Sequence, residues 1–358
     1  MPTSLNAMLT AWAITIILIF GTIVGIQLAY DPADFKKPDT HHPATANDSH
    51  ARDAQTGGMQ TGHSAADADM PAPGQVTDSA DHSFAQLPHI MPVVADQDLL
   101  EKSDKGPLPI VAKDGRRPFD VYRSGMRIDP KLPRVAIIIS ELGQRSQVTR
   151  RAIADLPPSV TLAFSPYAGD LINWGERARE AGHEVLLMVP MEPVNYPQND
   201  PGPFTLLTSN STRDNIDLLE DSMRVLTGYV GIINYMGSRL TAAPDSLRPI
   251  LMQVKERGLM FVDSRSSQFS QAATMAKAIG IPTAYNNRTI DDNLASDQIA
   301  KQLTELENRA QALGSAVGMA RPFPVSFEAI KTWAEGLRGR GVQLVPISAV
   351  AGMQEPPK

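Results

Sequence analysis

The sequence predicts an α/β fold: a closed or nearly closed β/α barrel of about seven units, with an open doubly wound sheet as the alternative. Three observations predict it. From Arg134 onward, short apolar runs alternate with segments of helical spacing. Glycines stand just past several of those segments, where a left-handed residue ends a helix at least cost. Some seven strand–helix units fit within about 220 residues, a density that suits parallel strands with helices outside them.

Taken in order, the predicted strands are Val135–Ile139, Val160–Phe164, Glu184–Val189, Tyr229–Ile233, Leu259–Val262, Ile281–Tyr285, Ser315–Met319 and Val342–Pro346. Each is a short, largely apolar run, as a strand buried in a parallel sheet requires. The helical segments between them are Val148–Ala154, Leu171–Ala181, Arg213–Leu226, Ser246–Arg257, Gln271–Ile279, Gln298–Leu313 and Phe327–Leu337. Gly182, Gly258, Gly280, Gly314 and Gly341 each follow a helix or its last turn.

Upstream of this alternation the chain changes character twice. Met8 to Tyr30 is 23 residues without a charge, long enough at 1.5 Å per residue to span about 30 Å of hydrocarbon. Residues 1–30 are therefore expected to be an uncleaved transmembrane anchor, since no basic region precedes the apolar run and no small-x-small cleavage site follows. Residues 31–97 hold ten Asp, three Lys/Arg and only seven Leu/Ile/Val/Phe, and are expected to be a disordered acidic linker. Residues 98–133, with Gly106-Pro107-Leu108-Pro109 and Asp114-Gly115, form a lead-in of turns before the barrel at 134–350.

Charge and composition exclude several functions. The linker carries −7 and the whole protein −6, so the folded part is nearly neutral. No Lys/Arg stripe offers a nucleic-acid face. With no cysteine there is no disulfide, thiolate metal site or Cys nucleophile. Of seven histidines only His183 falls in the part expected to fold, which excludes chemistry needing two imidazoles there.

In a barrel the functional residues lie at the C-terminal ends of the strands. Those ends read Ser140-Glu141, Pro166-Tyr167, Met191-Glu192, Asn234-Tyr235, Asp263-Ser264-Arg265, Asp291-Asp292-Asn293 and Arg321-Pro322. Glu141, Glu192 and Asp263 converging with Arg239, Arg265 and Arg321 suit a pocket for polar, hydroxyl-rich or anionic ligands. Tyr167, Asn234, Tyr235 and Ser238 would complete its lining. The same charges would serve equally well as ion pairs between loops. The loop Pro193–Leu207 is expected to cover the mouth, as a lid or as a face for a partner.

The stretches Ala136-Ile137-Ile138-Ile139-Ser140-Glu141-Leu142-Gly143, Pro190-Met191-Glu192-Pro193, Met236-Gly237-Ser238-Arg239-Leu240-Thr241 and Asp263-Ser264-Arg265, in this order and spacing, resemble the divergent polysaccharide deacetylases. The resemblance runs from about residue 98 to 350. It implies a distorted, seven-unit β/α barrel, a bacterial envelope protein facing outward, and zinc-assisted removal of N- or O-acetyl groups from carbohydrate. The chain departs from that pattern at the metal. Ser140 and Glu141 stand where the family has two aspartates, and Tyr235 and Met188 stand where it has histidines. Arg321 replaces the histidine of a late Gly-His-Pro stretch, and Asn287-Arg288 replace an Arg-Asp pair, although Asp292-Asn293 remain. A catalytic zinc wants about three protein ligands, usually with imidazoles, and a permanent cation at Arg321 opposes it. No cofactor is therefore expected.

Two functions are expected from these residues. The first is a membrane-anchored pseudoenzyme of the inner membrane, its barrel in the periplasm, binding an envelope glycan or a protein partner. In this reading Arg321 holds an anionic group where a cation sat. The second is a hydrolase without the usual metal, using Glu141 and Asp263 as acid and base and Asn234 as oxyanion donor. The nearest basic residues to the apolar segment, Lys36 and Lys37, follow it, which by the positive-inside rule points the other way from the resemblance.

Overall fold

The computed structural model describes residues 91–355. The expected membrane anchor, and the linker up to residue 90, lie outside the described residues. A two-stranded antiparallel hairpin, β1 (Leu100–Glu101) and β2 (Leu108–Pro109), and a short helix α1 (Pro118–Val121) form the lead-in. The alternation then runs β3 (Arg134–Leu142), α2 (Ser146–Asp155), β4 (Thr161–Phe164), α3 (Leu171–Glu180), β5 (Val185–Met191), α4 (Thr212–Met223) and β6 (Gly231–Met236). It continues with α5 (Pro244–Glu256), β7 (Met260–Asp263), α6 (Ala272–Ile279), β8 (Thr283–Tyr285), β9 (Arg288–Thr289), α7 (Ser296–Leu313), β10 (Ser315–Ala320), α8 (Pro324–Glu335) and β11 (Gln343–Leu344). The glycines predicted to end helices, Gly182, Gly258, Gly280, Gly314 and Gly341, all adopt positive φ, between 67° and 90°.

The strands form one parallel sheet in the order β8-β7-β6-β5-β4-β3-β10-β9, with β11 pairing the start of β3. The sheet curls so that the ends of this order meet in one stretch of chain. Asn286 N–H donates to Asp263 O at 2.8 Å, on the β7 side; one residue later Asn287 N–H donates to Val317 O at 2.8 Å, on the β10 side. The Asn287 side chain returns the favour, accepting Val317 N–H at 2.8 Å. β9, only two residues long, has no apolar run to mark it in the sequence. The last strand, expected over Val342–Pro346, shortens to two paired residues, because Ile347 and Val350 turn into the barrel.

Alternation along each strand makes two cores. Val135, Ile137 and Ile139 of β3 face the helices, packing in one cluster with Leu219, Leu247, Ile250, Leu306 and Phe327. Ala136 and Ile138 face the barrel interior with Ala163, Leu186, Met188, Ile233 and Val262. Segments from both ends of the chain plug that interior: Leu99, Phe119 and Tyr122 from the lead-in, and Val345, Ile347 and Val350 after β11. A fully buried carboxylate ties the plugs together. Glu184 accepts Ser124 N–H at 2.8 Å and Ser348 N–H at 3.0 Å, plus the Ser348 hydroxyl.

A buried arginine holds the first described residues against the barrel. Arg179 on α3 donates to Val93 O at 2.9 and 2.6 Å, to Thr227 O at 2.9 Å and to Gly228 O at 2.8 Å. Burial pulls its pKa down to about 10, so it stays charged at neutral pH. Gly228 must be glycine here: its φ is +70°, and a Cβ would stand 2.6 Å from the Arg179 guanidinium carbon. His183, the only histidine of the barrel, is buried at the start of β5, with ring nitrogens 2.7 Å from Val160 O and 3.1 Å from Ile153 O.

The C-terminal tail covers the free side of β8. Gly352 N–H donates to Thr283 O at 2.7 Å. The Gln354 amide accepts Tyr285 N–H at 2.8 Å and donates to Tyr285 O at 2.9 Å and Asn287 Oδ1 at 2.7 Å. One side chain thus supplies the pairing that a further strand would give. Gln354→Ala would strand buried backbone groups of Tyr285, and the expected cost is about 2 kcal/mol. Urea denaturation measures it; a loss under about 0.5 kcal/mol would show that the tail does not close the seam.

Candidate functional site

The strand ends that the sequence marked as a rim do converge on one face, and most of their polar groups are committed to one another. Asp263 is 1% exposed and, by alternation, shares the helix side of β7 with Phe261. Its Oδ1 accepts Arg265 N–H at 2.8 Å, and its Oδ2 accepts the Ser270 hydroxyl at 2.7 Å and Ala273 N–H at 3.4 Å. Burial raises its pKa, against those three hydrogen bonds. Both oxygens therefore fold the β7–α6 loop, and neither points into the mouth.

Asn234 is equally occupied. It accepts Ser264 N–H at 2.8 Å, and its amide donates to Met236 O at 2.7 Å and the Ser264 hydroxyl at 2.8 Å, locking the end of β6 to the end of β7. Glu192, 4% exposed, accepts Thr208 N–H and the Thr208 hydroxyl, each at 2.6 Å, and pairs with Arg239 at 3.4 Å. The Ser238 hydroxyl accepts Val194 N–H at 3.0 Å. Glu192, Arg239 and Ser238 thus hold the long β5–α4 loop in place. Tyr167 does so too: it stacks on Phe204 with centroids 5.5 Å apart and accepts Phe204 N–H at 3.1 Å. Gly202, at φ +113°, lets the backbone pass where a Cβ would stand 2.6 Å from the Tyr167 ring.

What remains open is smaller than the predicted pocket. Glu141 stands at the end of β3 with φ 58°, its N–H donating to the Met188 sulfur at 3.0 Å. Its carboxylate accepts no hydrogen bond among the described residues. Burial raises its pKa; the charge of Arg321 pulls the other way and that of Asp291 adds to the rise. The Tyr235 phenol is also raised by burial and by Glu141, which places the two side chains as neighbours. The Tyr235 phenol likewise makes no hydrogen bond among the described residues. Met236, at φ 55°, and Arg265, at φ 51°, join Glu141 as non-glycine residues in the left-handed region. Three such residues at the ends of three strands concentrate backbone strain at the mouth, as functional sites do.

Arg321 faces this opening but is already tethered. Its N–H donates to Asp291 Oδ2 at 2.8 Å, its guanidinium donates to Asp291 O at 2.7 Å, and the Phe323 ring lies 5.2 Å below it. Asp291 is fully buried and also accepts the Ser326 hydroxyl at 2.8 Å. The sequence did not single out Asp291 from its exposed neighbour Asp292, because nothing local distinguishes them. Arg265 makes no ion pair among the described residues and lies over the Tyr285 ring at 5.6 Å.

The donors at the mouth do not fit a catalytic zinc. Around Glu141 stand a thioether, a phenol held above its ordinary pKa and a guanidinium, and the barrel's one imidazole is buried at the start of β5. Among the described residues no group of three or more His, Asp or Glu could hold a metal ion. The arrangement offers one free carboxylate, one free phenol and two cations: hydrogen bonding and charge pairing with a polar ligand.

Residues 137–351 match the family model of the divergent polysaccharide deacetylases. The chain is 39% identical to an uncharacterized protein of Agrobacterium tumefaciens C58 of known crystal structure, with a TM-score of 0.67, covering 69% of this chain and 100% of that one. It is 26% identical over 215 residues to an uncharacterized protein of Haemophilus influenzae, covering 59% of this chain and 74% of that protein. It is 24% identical over 199 residues to the uncharacterized protein YibQ of Escherichia coli K12, covering 55% of this chain and 61% of that one.

The raised pKa of Glu141 gives a pH signature. The folded state keeps its proton to higher pH than the unfolded chain, so the stability lent by the protonated form is present at low pH and lost as pH rises through the folded value. Glu141→Gln cannot ionise. Its melting temperature is expected to exceed that of the wild type by about 2 °C at pH 7, with the gap closing at pH 4. Thermal denaturation at both pH values tests this, and a variant less stable than the wild type at pH 7 would contradict it.

Proposed function

This chain belongs to the divergent polysaccharide deacetylase family, and we propose that it serves there as a glycan-binding protein without the hydrolytic metal chemistry, held at the bacterial envelope by Met8–Tyr30 with its barrel in the periplasm. One observation carries this reading. At the positions that the resemblance assigns to metal ligands, the mouth presents Met188, Tyr235 and Arg321 around Glu141. A carboxylate and a phenol with unused hydrogen-bonding capacity suit the hydroxyls and amides of a sugar. Asp263, the second carboxylate of the acid–base reading, is committed to its own loop.

A protein partner is the second reading. Val194, 69% exposed after β5, and Phe269, 68% exposed after β7, are apolar side chains on two of the mouth loops. Among the described residues no helix is long and apolar enough to cross a membrane, and the apolar segment proposed as the anchor lies outside them.

Calorimetry of the full chain with N-acetylchitotetraose, followed by an acetate assay with and without added zinc, tests the first reading. Binding is expected with no acetate released. Glu141→Gln is expected to weaken it about tenfold, the loss of one charge-assisted hydrogen bond. Acetate release that rises with zinc would overturn the proposal.

A further inference from the structure

Beside the mouth, between the β3–α2 and β4–α3 loops, lies a second opening: a polar cleft of about 460 Å³. Arg150 from α2 and Arg177 from α3 both line it, with Gln144, Asp170 and Asn173. Neither arginine is paired with a carboxylate among the described residues. The neighbouring Arg151 pairs with Asp155 at 3.1 Å and Glu328 at 3.2 Å, and Arg177 lies 5.6 Å from the Trp174 ring centroid. Asp170 is the cleft's only acid, and it accepts the Asn173 amide at 2.8 Å. A polar cleft at Asn287–Gln302 differs on this point, because its Arg288 is already paired with Glu305 at 2.8 Å.

The cleft adjoins the mouth through two residues. Gln144 donates to the Ser165 hydroxyl at 3.0 Å, at the end of β4. Arg145, between Gln144 and α2, sits close enough for its charge to act on Glu141. Two guanidinia against one aspartate leave a surplus of one positive charge in the lining. That surplus matches a singly charged carboxylate, which a planar guanidinium binds through two parallel hydrogen bonds.

We propose that this cleft is an acidic-sugar subsite: it takes the carboxylate of one unit of a glycan whose next unit lies at Glu141 and Tyr235. The inference rests on the glycan-binding reading and narrows it to carboxylate-bearing polysaccharides. Recognition needs no bond to form or break, only that Arg150 and Arg177 meet a group of opposite charge.

The test compares tetragalacturonate with its methyl ester, which has the same backbone without the charge, by calorimetry on the full chain. The free acid is expected to bind about tenfold more tightly. In Arg150→Gln/Arg177→Gln that preference should disappear while ester binding and melting temperature hold. Equal affinity for acid and ester, or a preference that survives in the double variant, would overturn the subsite. The two readings separate cleanly. If neutral tetramers bind but acid gains nothing, the subsite falls and the mouth stands. If only the acid binds, and through these arginines, the subsite stands and the mouth assignment falls.

Discussion

The mouth exists because one step of backbone, Asn286 to Asn287, carries the chain from the side of β7 to the side of β10, the two ends of the curled sheet. A parallel sheet left open would expose two rows of unpaired N–H and C=O groups. Here the chain satisfies β7 with one residue and β10 with the next. So short a crossing between the two ends, which are not paired to each other, curls the sheet around a narrow interior, which has to be filled. The lead-in and the C-terminal segment fill it from the N-terminal ends of the strands, where Glu184 receives a donor from each. Only the C-terminal ends remain open.

At those ends, buried acids act as fasteners. Glu192, Asp263 and Asp291 are each almost wholly buried, and each accepts hydrogen bonds from a backbone N–H and a hydroxyl of the loops they hold. Burial raises the pKa of Asp263 and Asp291 while those bonds oppose it. Removing such a carboxylate would leave several donors unsatisfied at once, which is why the loops are specified so firmly. The groups left without partners, Glu141 and Tyr235, are thereby held on rigid strand ends beside left-handed backbone. Both groups are thereby preorganised by residues whose own polar atoms are spent on the loops.

The long β5–α4 loop shows how far tertiary contacts reshape a local reading. From sequence, the Pro-rich Pro193–Leu207 is expected to cover the mouth, as a lid or as a face for a partner. In the structure it is stitched down along its length. Met191 and Leu206 form a parallel bridge, Thr208 closes on Glu192, and Phe204 stacks on Tyr167. Tyr167 and Glu192, which the sequence offered as ligand contacts, spend their polar atoms on this loop.

The sequence by itself determined the strand–helix alternation, the barrel class, the glycines that end the helices and which strand ends would form the rim. These are local properties: a two-residue period, a three-to-four-residue period, and a left-handed residue that only glycine adopts freely. The same reading placed Glu141 at the end of β3. Only the tertiary structure decided which rim residues remain available. Glu192 finds Thr208 16 residues away, and Asn234 finds Ser264, and Arg321 finds Asp291, each across 30 residues. The seam needed Gln354, 69 residues beyond Tyr285. A polar side chain at a strand end looks the same in sequence whether it will bind a ligand or its neighbour. The difference lies in which backbone donors the curled sheet brings within hydrogen-bonding distance, and no local pattern encodes that.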